Sequence, residues 1–218
     1  MGTLRLDRPI LLNHYANDHY LTGVMKREHI TRCLEPVSEL LRWPHQQRDD
    51  GLSNAAVLIP LVEREQWQVL LTKRTDHLNN HAGQVSFPGG RADADDLSPL
   101  ETALRETEEE VGIQRGLIET VGLLQAHKTV TGFNVIPVVG LVKPEFTLEL
   151  DSFEVAEVFE VPLSILMDTS LYQQKEIEYK GERRLYWELL YQEFRIWGAT
   201  AAMLHNLANR LKGSKAVV

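Results

Sequence analysis

Five glutamates fall within the first ten residues of the segment ETALRETEEEVGI, residues 101–113. At helical spacing, Glu106, Glu109 and Glu110 occupy positions i, i+3 and i+4 and therefore share one side of a helix. Carboxylates that converge in a cleft repel one another, and their pKa values rise. A hard divalent cation removes this repulsion, because Mg²⁺ prefers oxygen ligands and shares its shell with water and substrate phosphates. The alternative is a solvated acidic helix face, the commoner explanation of such a run taken alone.

The residues that flank the glutamates predict the helix that would position them. Ser98 suits the N-cap, Pro99 suits the first helical position, and Glu101 completes an S-x-x-E capping box. Gly112 suits the left-handed conformation that commonly ends a helix. We therefore predict a helix over residues 98–111. The side expected to face a core comprises Leu100, Leu104, Thr107 and Val111.

The segment 90–113 resembles the Nudix box, the signature of the Nudix hydrolases. That pattern is glycine, five residues, glutamate, seven residues and Arg-Glu-U-x-Glu-Glu-x-Gly-U, where U is bulky and apolar. Residues 105–113, RETEEEVGI, match its second half, with Thr107 at a position that is usually apolar. The first half differs, because Asp96 replaces the glutamate and eight residues separate it from Arg105. The family's first acid typically contacts the arginine, so the sequence leaves this contact open.

A second stretch, LLTKRTDHLNNHAGQVSFPGG at residues 70–90, resembles a motif found upstream of the box in the coenzyme A pyrophosphatase branch. That motif runs Leu-Leu-Thr-x-Arg-Ser/Ala, three residues, Arg, three residues, Gly, three residues, Phe-Pro-Gly-Gly. Thr75 replaces Ser/Ala, and Asn79 stands where a second basic residue is expected. The resemblance covers residues 55–210 approximately. The matching positions are Leu70, Leu71, Thr72, Arg74, Gly83, Phe87, Pro88, Gly89 and Gly90.

The resemblance implies a hydrolase of nucleoside diphosphates linked to another group, with an α+β fold: a Nudix-type α/β/α sandwich with a mixed β-sheet. For this branch it implies coenzyme A or its thioesters, split into adenosine 3′,5′-bisphosphate and 4′-phosphopantetheine or its acyl form. It also implies Mg²⁺ or Mn²⁺ as cofactor, which neutralises diphosphate charge and activates water. Two alternatives stay open. One is another substrate such as ADP-ribose or a dinucleotide, which Asn79 favours; the other is a non-catalytic nucleotide-sensing domain.

Family roles can be carried over to the matching positions. Glu109 and Glu110 would be direct metal ligands, and the carbonyl of Gly89 would be a backbone ligand. Glu106 would bind metal or orient the attacking water. Arg105 would orient the carboxylates through charge-assisted hydrogen bonds. The alternative for the arginine is an ordinary i,i+4 ion pair at the surface.

Further candidates lie outside the box. Many Nudix enzymes use an additional carboxylate as base or metal ligand, and Glu154 and Glu157 are the candidates here. They could equally be alternating polar residues on a half-exposed strand. Coenzyme A also carries a 3′-phosphate, which basic residues should contact. Lys73, Arg74 and Arg91 are candidates, and Arg74 is favoured because the branch motif contains it.

The elements that must position these residues suggest a mixed sheet covered by helices. Residues 55–62 and 68–73 predict a hairpin, and helical spacing recurs over 26–43, where Pro36 interrupts it, and over 199–211. Further strands are predicted over residues 119–126, 133–142, 154–161, 175–180 and 184–191. We expect an N-terminal extension and helix over 1–50, the Nudix domain over 51–213 and a tail over 214–218.

Composition bounds the remaining possibilities. The chain has 218 residues, 43% of them hydrophobic, and a net charge of −8, which argues against broad binding of nucleic acid or anionic membranes. It has no apolar run of transmembrane length. Cys33 is the only cysteine, so no intrachain disulfide can form. We expect a cytoplasmic protein with a small-molecule nucleotide substrate, and edge strands would permit a homodimer.

Overall fold

The computed structural model of the chain describes residues 25–40, 43, 51–78, 81–179 and 181–213. Most of the predicted N-terminal extension, the C-terminal tail and Asn79 lie outside these residues. The strands are β1 (Ser53–Glu63), β2 (Trp67–Arg74), β3 (Val85–Ser86), β4 (Gly89–Arg91), β5 (Ile118–Leu123), β6 (His127–Lys128), β7 (Phe133–Val142), β8 (Val155–Pro162), β9 (Gln173–Tyr179), β10 (Glu182–Tyr191) and β11 (Phe194–Trp197). The helices are α1 (Arg27–Arg32), α2 (Pro99–Val111), α3 (Leu163–Met167) and α4 (Gly198–Leu211), with 3₁₀ turns at Val37–Leu40, Arg115–Leu117 and Thr169–Leu171.

The larger sheet has eight strands and is mixed, as the sequence predicts. β1 runs parallel to β7 over ten register pairs, from Ser53–Phe133 to Val62–Val142. β1 is antiparallel to β2 and β4, β2 is antiparallel to β8, and β7 is antiparallel to β5 and β6. The predicted β1–β2 hairpin is confirmed. β1 and β7 are near-continuous apolar runs because both of their faces are covered.

Helices cover both faces of this sheet. On one face, Ala103 of α2 packs against Ala56 and Leu58 of β1 and against neighbouring residues of β7. On the other face, α4 and the antiparallel sheet β9–β10–β11 enclose the larger core, which includes Ile196 and Leu204. The α+β architecture predicted from the sequence is therefore confirmed. In the described part of the chain, no helix is long and apolar enough to span a membrane.

Helix α2 begins and ends as the sequence predicts. The Ser98 hydroxyl accepts a hydrogen bond from Glu101 N at 3.2 Å, and the Glu101 carboxylate accepts one from Leu97 N at 2.6 Å. Gly112 ends the helix with φ 76°. The buried side differs from the expected one, because Leu100 and Leu104 are only partly buried. The fully buried positions are Pro99, Thr102, Ala103, Thr107, Glu110 and Val111.

The end of α2 receives the loop that leads to β8. Glu149 N donates to Val111 O at 3.1 Å, and Asp151 N donates to Glu110 O at 3.0 Å. These bonds satisfy helix-terminal carbonyls that would otherwise lack a partner. A Cβ atom at Gly112 would lie 2.8 Å from both the Cβ and the N atom of Glu149. Glycine is therefore required here both for its positive φ and for this close approach.

We predict that Gly112→Ala lowers the free energy of unfolding by more than about 1 kcal/mol, since alanine is strained at this φ and clashes with backbone. Urea unfolding monitored by circular dichroism measures the change. Gly116→Ala is the matched control, because that glycine has a negative φ and a Cβ there meets nothing within 4 Å. Equal effects of the two substitutions would contradict the assignment.

Candidate active site

The glycine pair of β4 lies directly against two carboxylates of α2. Gly89 N donates to Glu110 Oε2 at 3.1 Å. A Cβ atom at Gly90 would lie 2.5 Å from the Cδ atom of Glu106, so any side chain there would displace this carboxylate. Gly89 has φ 149°, and a Cβ atom on it would lie 2.5 Å from the carbonyl oxygen of Ala56. The two glycines thus permit an approach that no other residue type allows.

Arg105 contacts three acids of the box, Asp96, Glu106 and Glu109. Its Nε and Nη2 atoms donate to Asp96 Oδ1 and Oδ2 at 3.1 and 2.8 Å, a bidentate pair. Its Nη1 atom lies 2.9 Å from Glu109 Oε2 and 3.0 Å from Glu106 Oε1. The contact that the sequence leaves open is therefore present. The i,i+4 pair with Glu109 also forms, but it is one part of a larger network.

The unusual spacing before Arg105 does not prevent its contact with Asp96, which lies two residues before the N-cap Ser98. Leu97, between Asp96 and Ser98, is 74% exposed. The aspartate is fixed on several sides. Thr102 Oγ1 donates to its carboxylate at 2.8 Å, and Trp43 Nε1 donates to its backbone carbonyl at 3.1 Å.

Arg74, at the end of β2, contacts the acids from the other side. Its Nη1 atom lies 3.5 Å from Glu110 Oε1, and its Nη2 atom lies 3.1 Å from Glu154 Oε2. Arg74 thus joins a carboxylate of α2 to one that immediately precedes β8. Arg105 and Arg74 together contact the four carboxylates Glu106, Glu109, Glu110 and Glu154, and their positive charges offset part of the repulsion among them.

Burial sets the protonation behaviour of the cluster. Glu110 is only 5% exposed, and this burial raises its pKa to about 8. The Gly89 N–H and Arg74 oppose the increase, whereas the charges of Glu106 and Glu154 add to it. Burial is also the main cause that raises the pKa of Glu106. Carboxylates whose ionised forms are disfavoured in this way are typical of functional sites.

The donor set fits a hard divalent cation, although the side chains are not yet arranged around one. Among the described residues, no three His, Cys, Asp or Glu side chains form a ready-made metal site. Glu109 is 60% exposed and paired with Arg105, so its carboxylate would have to rotate toward Glu106 and Glu110. Oxygen ligands at a partly buried site of excess acidity suit Mg²⁺ or a similar ion. The individual metal-binding roles, including that of the Gly89 carbonyl, stay predictions.

The candidates outside the box separate into two groups. Glu154 lies with the cluster through Arg74. Glu157 lies on the same face of β8 as Phe159 and Val161, which pack in the core on the α4 face, so strand geometry directs it away from Glu110. Lys73 is the register partner of Glu157 and therefore also lies on the face of the sheet opposite the acidic cluster.

The basic candidates Arg74 and Arg91 contact the site through different groups, the side chain of Arg74 and the backbone of Arg91. Arg74 contacts carboxylates of the cluster. Arg91 contributes its backbone, because its carbonyl accepts a hydrogen bond from Arg105 Nη2 at 3.3 Å, while the residue itself is exposed. Thr102 and Trp43 are further residues of the site that the sequence did not predict. Thr102 follows the N-cap Ser98 by one helical turn, which is a usable signal, whereas the Trp43–Asp96 contact spans 53 positions and has no local pattern.

Comparison with known proteins agrees with this geometry. The NUDIX domain model matches residues 52–179. A protein of Enterobacter sp. (strain 638) named "Uncharacterized Nudix hydrolase NudL" is 45% identical over 171 residues, which are 78% of this chain and 88% of that protein. The chain belongs to the Nudix family. The protein of the same name from Escherichia coli (strain K12) is 43% identical over 170 residues, again 78% of this chain and 88% of that protein.

Membership in the Nudix family and the names of these relatives support a hydrolase that acts on pyrophosphate bonds. Nudix hydrolases generally use divalent metal ions. Among solved structures, the MutT protein from Methanosarcina mazei Go1 superimposes on this Nudix chain with a TM-score of 0.48 at 19% identity, covering 77% of this chain and 97% of that one.

Asp96 generates a prediction about pH. Its hydrogen bonds with Arg105 lower its pKa from 3.8 to about 2 in the folded protein. A lowered carboxylate pKa contributes stability above the unfolded-state value, and this stability is lost as pH falls from about 4 toward about 2. We therefore expect Asp96→Asn to lower the free energy of unfolding by about 2 kcal/mol at pH 7, and the difference from wild type to shrink below pH 4.

Urea unfolding at a series of pH values between 3 and 7 measures this dependence. Asp95→Asn is the matched control, because the neighbouring aspartate is exposed, and it should change stability by less than about 0.5 kcal/mol. A pH-independent difference between wild type and Asp96→Asn would contradict the proposed ion pair.

Proposed function

We propose that this Nudix chain hydrolyses the diphosphate bond of coenzyme A or its thioesters and releases adenosine 3′,5′-bisphosphate and 4′-phosphopantetheine or its acyl form. The observation that carries the proposal is the contact between Arg74 and Glu110. Arg74 is the arginine of the motif that resembles the coenzyme A pyrophosphatase branch, whereas Glu110 belongs to the box. The contact supports a single site in which the residues of both motifs act on one substrate.

The chemistry requires a water molecule to attack a phosphorus atom surrounded by negative oxygens. A divalent cation, Mg²⁺ or Mn²⁺, supplies charge neutralisation and lowers the pKa of a bound water. In our proposal Glu106, Glu109 and Glu110 hold that cation, and the backbone of Gly89 supports them. Arg105 keeps the first two carboxylates oriented from its fixed position on Asp96.

Glu154 is the proposed general base. It is partly exposed, so water can reach its carboxylate, and it lies against Arg74 within the cluster. In the proposed step the water oxygen bonds to phosphorus, the bond from phosphorus to the bridging oxygen breaks, and the water proton passes to the Glu154 carboxylate. Arg74 would then contact phosphate oxygens, which offer it the same charge and geometry as the carboxylates that it now binds.

The alternative substrate is another nucleoside diphosphate derivative, such as ADP-ribose or a dinucleotide. The observation that favours it is Asn79, which removes a positive charge from the branch motif. Arg91 stays a candidate for contact with a 3′-phosphate, whereas Lys73 lies on the face of the sheet opposite the acidic cluster. A non-catalytic sensing domain is disfavoured, because all three box glutamates are present and converge with Arg105 and Arg74. We expect a small-molecule nucleotide to be the partner, and a homodimer is compatible with the edge strand β9.

Product analysis tests the proposed substrate. Purified protein is incubated with Mg²⁺ or Mn²⁺ and with coenzyme A, ADP-ribose, NADH and nucleoside triphosphates in parallel. We expect preferential release of adenosine 3′,5′-bisphosphate from coenzyme A. Cleavage of ADP-ribose alone would favour the alternative substrate, and the absence of any turnover would favour a sensing domain.

Glu109→Gln tests the proposed metal ligands. The substitution removes charge while keeping volume, so we expect a loss of about 100-fold or more in kcat/KM with unchanged urea unfolding. Glu108→Gln is the matched control, since this glutamate is exposed and about half of its side chain is open to solvent. Near-normal activity of Glu109→Gln would show that the ligand assignment is wrong.

Glu154→Gln and Glu157→Gln form a matched pair that tests the proposed base. We expect Glu154→Gln to lower kcat by about 100-fold or more, in the range typical of a removed general base, and Glu157→Gln to change it little. Steady-state kinetics on coenzyme A measure both. The reverse order of effects would assign the role to the opposite face of the sheet.

A further inference from the structure

Phe153 is a large apolar side chain held in an exposed position by a fixed backbone. The residue is 64% exposed. Its carbonyl accepts a hydrogen bond from Thr75 Oγ1 at 2.7 Å, and its N–H donates to Asp151 Oδ1 at 2.8 Å. The next peptide is held too, because Thr75 N donates to Glu154 O at 3.0 Å. The exposure of the ring is therefore a property of an anchored loop.

His77 supports the ring from one side. The centroids of the Phe153 and His77 rings lie 4.8 Å apart with an interplanar angle of 61°, an edge-to-face contact. Both residues are exposed, so the phenyl ring keeps open surface on which another flat group can stack. Exposure of this apolar surface to water is unfavourable, so a ligand that covers the ring gains binding free energy by removing the surface from water.

Short stretches of chain connect the aromatic pair to the acidic cluster. Phe153 is adjacent in sequence to Glu154, whose carboxylate lies 3.1 Å from Arg74, and adjacent Cα atoms are about 3.8 Å apart. Thr75 follows Arg74 directly along the chain, and His77 is three positions after Arg74. A nucleotide whose phosphates contact Arg74 could therefore place its base over this ring without leaving the surface of the site.

We propose that Phe153, supported by His77, is the stacking platform for the nucleobase of the substrate, which is adenine in coenzyme A. The inference rests on the proposed function, since it takes the substrate to be a nucleotide. Aromatic side chains bind bases through their π-faces with little dependence on base identity. The platform would thus provide affinity for the nucleoside end, while Arg74 and the acidic cluster act on the diphosphate.

Substitution of Phe153 separates stacking from simple apolar contact. We expect Phe153→Ala to raise KM for coenzyme A and the Kd for adenosine 3′,5′-bisphosphate by about 5- to 150-fold, with kcat changed by less than about two-fold. Phe153→Tyr and Phe153→Trp should retain wild-type values. Phe153→Leu should resemble Phe153→Ala, because leucine keeps the apolar surface and loses the ring.

Leu190→Ala is the matched control. Leu190 is also 64% exposed, but it lies on β10 in the smaller sheet, so its substitution should leave KM, kcat and Kd unchanged. Isothermal titration with adenosine 3′,5′-bisphosphate gives Kd independently of turnover, and circular dichroism verifies that each variant is folded.

The outcomes separate this inference from the proposed function. If wild type cleaves coenzyme A and Phe153→Ala keeps normal KM and Kd, the platform is wrong and the function stands. If coenzyme A is not cleaved but Phe153→Ala still weakens binding of the bisphosphate, the platform stands and the proposed substrate is wrong. Absence of measurable binding to wild type, full activity of Phe153→Leu, or a fall in kcat without a change in Kd would each overturn the platform.

Discussion

The structure depends on the electrostatic cost of holding carboxylates close together at a partly buried site. Glu110 is nearly inaccessible to water, and its pKa is raised to about 8. Glu106 lies against the backbone of Gly90, where any side chain would clash with it. Arg105 and Arg74 offset the cost by each contacting two carboxylates of the cluster. The cluster still holds more carboxylates than arginines, so a divalent ion, which concentrates two positive charges on the same oxygens, would reduce the remaining repulsion.

Much of the surrounding fold serves to fix these groups. The parallel strands β1 and β7 form the centre of the sheet. β4 pairs with β1 and places the glycine pair against α2. Thr102 and Trp43 hold Asp96 in position. Asp96 in turn fixes the guanidinium of Arg105, which also contacts the box glutamates. At the other end of the helix, Gly112 admits the loop that carries Phe153 and Glu154 to the start of β8. Both ends of α2 are therefore tied to the site by contacts that the helix itself does not supply.

Local signals in the sequence predict the elements that carry the chemistry. The capping residues of α2 place its first and last residues correctly, and apolar runs locate β1, β2 and β7. The short strands β3, β4 and β6 and the strand β11 are missed, because strands of two to four residues have too few positions to show alternation. The order of the strands follows from packing between distant segments and is not encoded in any one of them.

The sequence identifies the acids of the site but does not predict how deeply each one is buried. Helical spacing places Glu106, Glu109 and Glu110 on one side, yet the exposure of their side chains ranges from 60% for Glu109 to 6% for Glu110. The difference comes from where β4 lies across the helix, which is a tertiary fact. The same is true of Glu154 and Glu157. The local sequence makes the two equally good candidates, and only the position of β8 shows that Glu154 lies with the cluster and Glu157 on the opposite face. The Asp96–Arg105 pair shows the converse, because the altered spacing in sequence leaves the contact intact.

The most direct test of the central claim is a crystal structure of the protein soaked with Mn²⁺ and a non-hydrolysable diphosphate analogue, with the ion located by anomalous scattering. We predict an ion bound by Glu106, Glu109 and Glu110 beside the glycine pair and in contact with the diphosphate, with Arg105 still paired with Asp96. Carboxylates turned toward bulk solvent, with the analogue bound and no ion between them and its phosphates, would contradict the account.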